Sequence, residues 1–170
     1  LGDVEYNSLQ KAINAIESEG TIMLIDSPNI QKVSVNIPKE KKVIFDLNGN
    51  IYLTNQTITN NGTLIVKDSS EEKTGTITSE STPNLIVNSG TMTIESGNIT
   101  KTNATNSLIS TTSNLTLNGG NITTPGKGIS GSGTVKIEDV NITTTAECLN
   151  LTGTTTINGG TYNSETSSAI

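Results

Sequence analysis

Tryptophan, histidine and arginine are absent, and Phe45, Tyr6, Tyr52 and Tyr162 are all the aromatic side chains the 170 residues hold. With only 31% hydrophobic residues besides, a wide layered core would be hard to fill, and a thin core repeated many times suits the composition better. Cys148 is the lone cysteine, which excludes an intrachain disulfide; without histidine or a cysteine cluster there is no zinc site either. Its plain reading is a small buried apolar side chain. All ten basic residues are lysines scattered along the chain, and the net charge is −6, so nucleic acid is excluded as a partner because phosphate neutralisation needs clustered cations. No apolar run reaches the length of a membrane span, and no charged and apolar leader opens the chain. Because it starts at Leu1 and stops mid-pattern at Ser167-Ser168-Ala169-Ile170, the expectation is a piece of a longer protein.

What is abundant is glycine, serine, threonine and asparagine, a mixture that suggests disorder unless apolar residues recur at fixed intervals. They do. Gly62 to Val66, Gly90 to Ile94, Ser113 to Leu117, Gly133 to Ile137 and Thr154 to Ile157 line up when stacked. Each alternates one side chain in and one out, the period of a strand, which points Leu64/Val66, Met92/Ile94, Leu115/Leu117 and Val135/Ile137 inward and Thr93, Thr116 and Lys136 outward. A second short strand follows, with Ile77, Ile99, Ile122, Ile142 and Tyr162 as its inward residue. A third precedes the next coil, around Ile58, Ile86, Ile109, Ile129 and Leu149.

Between equivalent first-strand positions the steps run Ile22 to Val43 (21), Val43 to Leu64 (21), Leu64 to Met92 (28), Met92 to Leu115 (23), Leu115 to Val135 (20) and Val135 to Thr155 (20). The long step contains Asp68 to Lys73, read as a charged loop inserted without disturbing the stack on either side. The pattern predicts an all-β chain: a single-stranded right-handed parallel β-helix, one domain over residues 1–170, with three short strands per coil of roughly 20 residues and about seven coils from residue 21 on. Gly97, Gly120 and Gly160 supply sharp corners, and Asn48-Gly49 is a further turn signal. An open solenoid end exposes core and strand edge, so a cap is expected. Asn7-Ser8-Leu9-Gln10 resembles a capping box, Leu9, Ala12, Ile13 and Ile16 make one apolar face, and Gly20 is placed to stop the helix, which predicts an N-terminal capping helix over 8–19.

The run Ser8 to Ala15, Gly20 to Leu24 and Val43 to Gly49, with the Asn-Gly-Gly coils at Asn118 to Ile122 and Asn158 to Tyr162, resembles pectate-lyase-like β-helix domains of Gram-positive surface proteins over nearly the whole chain. That superfamily holds lyases, glycoside hydrolases, tailspikes and adhesin-like proteins, so the resemblance implies fold well and activity poorly. It implies that a lyase here would need several acidic calcium ligands with an arginine or lysine base, and a hydrolase aspartates gathered on one sheet. The five aspartates, Asp3, Asp26, Asp46, Asp68 and Asp139, do not recur at the coil spacing. Glu95 would approach Glu138 or Asp139 only across a coil carrying Asn118. Gly126-Lys127-Gly128 lacks the spacing of a phosphate loop and reads as a corner. Asn98, Asn121 and Asn141 each open an Asn-x-Thr tripeptide that coincides with the repeat, so strand and turn chemistry explains them before glycosylation does. Tyr52 is the outward aromatic a sugar would stack on.

No catalytic residue, metal ligand or cofactor is therefore expected. The reading is a non-catalytic module of the cell surface, exported from a Gram-positive cell, serving as a rigid stalk or adhesin-like unit toward a glycan or a host or cell-surface protein. Asp68, Glu71, Glu72 and Lys73 are its candidate ligand contacts. The alternatives are a piece of a carbohydrate-active β-helix and a glycan-binding module without turnover.

Overall fold

Short alternating segments joined by tight polar corners cannot bury their own aliphatic side chains, and they do so here by stacking on one another. In the computed structural model, which describes residues 4–104 and 106–166, three parallel sheets run the length of the chain. The first holds seven strands: Glu19–Met23, Lys42–Asp46, Thr63–Lys67, Thr91–Ile94, Asn114–Leu117, Val135–Ile137 and Thr155–Ile157. The second holds Ile51–Leu53, Thr76–Ser79, Asn98–Lys101, Asn121–Thr124, Asn141–Thr144 and Thr161–Ser164. The third holds Val35–Ile37, Ile58–Asn60, Ile86–Asn88, Ser107–Thr111, Lys127–Gly131 and Leu149–Leu151. Strand order within each sheet follows chain order, coil after coil, so this is a right-handed parallel β-solenoid of about seven turns.

The registers put the aliphatic residues in columns. Leu64 pairs with Met92, Met92 with Leu115 and Leu115 with Val135 on the first sheet; Ile77, Ile99, Ile122 and Ile142 align on the second; Ile58, Ile86, Ile109, Ile129 and Leu149 align on the third. All are buried in one continuous cluster, a narrow tube lined from three sides. Ile65 is half-exposed on the outer face, as its phase requires.

Two expectations about the first coil are corrected. Ile22 pairs with Phe45, and Gly20 with Val43, so the first alignment slips by two residues; such a slip keeps every side chain on its own face, which is why periodicity alone did not expose it. The helix, α1, spans Leu9–Ala15 rather than 8–19. Glu19 and Gly20 already belong to the first strand, and Gly20 does not stop the helix: a β-carbon there would meet Cγ1 of Ile16 at 3.0 Å, so the glycine lets Ile16 pack onto the strand. Ser8 caps the helix by accepting from the Lys11 amide at 3.3 Å, with Lys11 where a full capping box has Glu or Gln. Lys41 Nζ donates to the carbonyls of Ile13 and Asn14 at 2.9 and 3.1 Å, closing the other end. Leu9, Ala12, Ile13 and Ile16 are buried, as a cap on the solenoid end demands. Asp3 and the stretch Ser167 to Ile170 lie outside the described residues.

Candidate binding surfaces

The extra residues of the long step fall at two corners rather than at Asp68 to Lys73 alone, four between Val66 and Ile77 and three between Ile77 and Ile86, yet the strands around them keep register: Thr63 to Val66 pair with Thr91 to Ile94, and Ile51 to Leu53 with Thr76 to Thr78. Asp68 itself is buried, at 2% exposure. Its Oδ1 accepts from the amides of Gly49 (2.8 Å) and Ser70 (3.1 Å) and from the Ser70 hydroxyl (2.8 Å), while Oδ2 accepts from the Gly75 amide at 2.5 Å. Burial pushes its pKa up, but those donors outweigh it and hold the carboxyl below its ordinary value. Lys73, at φ 52°, turns its ammonium back to the Asp68 carbonyl at 2.7 Å. Of the four candidate contacts, then, Asp68 and Lys73 hold the loop's own backbone, and Glu71 and Glu72 are the carboxylates presented at the surface. Asp46 is used similarly one coil earlier. Its Oδ1 accepts from the Ser69 and Asn48 amides at 2.9 and 3.1 Å, and its Oδ2 pairs with Lys67 at 3.3 Å.

The outer face of the second sheet is a polar ladder. Asn121 Nδ2 donates to Asn98 Oδ1 at 2.8 Å, Asn141 Nδ2 to Asn121 Oδ1 at 3.1 Å, and Thr100 Oγ1 to Thr78 Oγ1 at 2.8 Å. The first residues of the Asn-x-Thr tripeptides are thus bonded to one another along the solenoid axis. Sequence reasoning missed a second ladder inside the tube, where Asn60 Nδ2 donates to Asn88 Oδ1 (2.8 Å) and Asn88 Nδ2 to Thr111 Oγ1 (3.0 Å), all three buried. The signal was present: each ends its third strand a few residues before the next first strand.

Glu95, Asn118, Glu138 and Asn158 each follow residues that pair along the first sheet, so Glu95 and Glu138 sit two coils apart, roughly 10 Å at ~4.8 Å per coil. Glu138 is committed to Lys136 and to Asn158 Nδ2 (2.8 Å), which lower its pKa. Gly126-Lys127-Gly128 is not a corner as expected: Lys127 and Gly128 open the third-sheet strand Lys127–Gly131, with Lys127 opposite Ser107 and its ammonium 2.9 Å from Glu147. Tyr52 is not an outward platform. It is buried to 2% exposure opposite Ile77, its ring edge-on to Phe45 at 5.4 Å and 87°, and burial raises its pKa to about 12. Ile51 takes the outward place instead. Lys101 is also buried, with its ammonium 2.6 Å from the Pro83 carbonyl and its pKa lowered by desolvation. Cys148 is buried and free. Among the described residues no group of three or more acidic or cysteine side chains is placed to hold a metal ion, and no helix is long and apolar enough to cross a membrane.

Comparison with protein-family models, with curated proteins and with solved structures gave no match. The fold and its surfaces are accordingly the whole basis for a functional reading.

Proposed function

We propose that this solenoid is a non-catalytic module of a bacterial cell surface, a rigid spacer or adhesin-like unit related to the pectate-lyase-like β-helices of Gram-positive surface proteins. The observation that carries this reading is where its ionisable groups are used. Asp46 and Asp68 accept backbone amides at coil corners, Glu138 and Glu147 are paired with lysines, and the ammonium of the buried Lys101 is held by the Pro83 carbonyl. A lyase or hydrolase needs two such groups converging on one bond. The outer face of the second sheet is instead laddered with neutral Thr and Asn along the axis, which suits an elongated, well-solvated module presenting its insertion sideways. A glycan, or a protein of a host or neighbouring cell, is the partner such a module would meet, with Glu71 and Glu72 as the exposed carboxylates of the insertion.

The test is incubation of the purified chain with pectic, uronate-containing and neutral polysaccharides, followed by reducing-end and unsaturated-product assays and by a glycan-array binding measurement. The reading expects no turnover, and any binding to fall when residues 69–74 are replaced by a two-residue turn. Release of oligosaccharide by the chain would overturn it in favour of a carbohydrate-active enzyme.

A further inference from the structure

The N-terminal end of the solenoid is only partly covered. Helix α1 packs over Gly20 through Ile16, while farther along the same strand a groove of about 800 Å³ opens, lined by Tyr6, Leu9, Ile22, Leu24, Phe45 and Tyr52 among others. Val4, Tyr6, Met23 and Ile25, all lining it, are exposed, with Met23 at 52% and Ile25 at 58%. Its wall is also a strand edge. Among the described residues Glu19–Met23 is the terminal strand of the first sheet and pairs on one side only, with Lys42–Asp46. The Leu24 amide donates to the Asp46 carbonyl at 2.8 Å, so alternation along the strand directs the amides and carbonyls of Gly20 and Ile22 to that partner and those of Thr21 and Met23 to the open edge. Among the described residues the charged side chains lining the groove, Glu5 and Asp26, are both acidic, and no lysine lines it.

From this geometry we infer that the groove is a docking site for an extended segment of a partner protein, apolar at alternate positions and flanked by basic residues. The segment adds a rung to the first sheet at Thr21 and Met23, continuing an interface that the chain already repeats from coil to coil. Its inward side chains stack on the half-buried Ile22 and Leu24, and its basic ends lie against Glu5 and Asp26. The strand edge supplies affinity, the groove selects aliphatic side chains, and the acidic rim selects against anionic segments.

The test uses the whole chain and the fluorescein-labelled peptide acetyl-Lys-Val-Thr-Val-Thr-Val-Lys-amide, alongside a version with glutamate at both ends and one N-methylated at its central amides. Anisotropy titration should give saturable binding of the basic peptide, with at least tenfold weaker binding of the other two. Thr21→Pro removes only an edge-facing N–H, after a glycine that tolerates a following proline, so it should keep the wild-type circular dichroism and melting midpoint while losing at least tenfold in affinity. Met23→Pro, built on the same logic, and the N-methylated peptide keep the question answerable if Thr21→Pro misfolds. Asp26→Asn should narrow the preference for the basic ends. Absence of saturable binding, equal affinity for the acidic or N-methylated peptide, or a chain that instead dimerises through this edge and excludes the peptide would each overturn the assignment.

Discussion

Single side chains decide the local shape of the coil. Asp68 is the clearest case, since one carboxylate satisfies three backbone amides and a hydroxyl at the root of the insertion. Asp68→Ala should cost about 2–3 kcal/mol by leaving buried donors without an acceptor. Glu71→Gln and Glu72→Gln, on the exposed part of the loop, should stay within about 0.5 kcal/mol, a contrast that chemical denaturation measures. The sign of the pH effect follows from its lowered pKa. Its stabilisation is fully present above the unfolded carboxyl's pKa of about 4 and is lost as pH falls through the lower folded value, so Asp68→Asn should flatten the acid limb of stability against pH. Tyr52 behaves in the opposite direction. With its folded pKa raised to about 12, its contribution holds below the unfolded value near 10 and fades as pH rises toward 12. Tyr52→Phe should remove that part of the alkaline loss, as thermal melts from pH 9 to 12 will register.

At the scale of elements, the corners and the cap carry the risk. Gly120 has φ 94°, and a β-carbon there would lie 2.6 Å from the Gly97 carbonyl oxygen of the coil before it; Gly120→Ala therefore combines backbone strain with a clash and should cost at least about 2 kcal/mol by denaturant melts. Helix α1, at seven residues, is too short to stand alone and holds its shape by the face it buries. Ile13→Asp with Ile16→Asp places two charges on that face and should destabilise by more than ~4 kcal/mol, with aggregation visible in light scattering; wild-type melting and monodispersity would remove the cap from the account. The sequence made the strands and corners legible because alternation, glycine spacing and recurring aliphatics all repeat from coil to coil, so each copy checks the others. The cap and first coil occur once and have no such check. There the helix length and the Ile22 alignment differ from expectation, as does the facing of Tyr52 one coil later, at the open end of the second sheet; each is decided by a contact that periodicity does not report: Ile16 on Gly20, Phe45 beside Ile22, and Phe45 against Tyr52. For the candidate contacts, the sequence marked the insertion as a departure from the coil, but not that Asp68 turns inward, since its partners Gly49 and Gly75 lie 19 and 7 residues away.

For the whole molecule, stacking makes stability approximately a sum over neighbouring coils, with no single residue holding the fold together. The same stacking fixes a length: each coil advances the axis by ~4.8 Å. Ile44, Ile65, Thr93, Thr116, Lys136 and Thr156 occupy one outward row of the first sheet, paired rung by rung. Spin labels at Thr156 and at either Ile65 or Ile44, in a Cys148→Ser background, give the most direct measurement. Pulsed electron resonance should return backbone separations of roughly 19 and 24 Å, four and five coil steps, with the difference between them one step. Distances that fail to grow by one step per coil, or that are broad and alike for the two pairs, would contradict the stacked columns on which every surface described above depends.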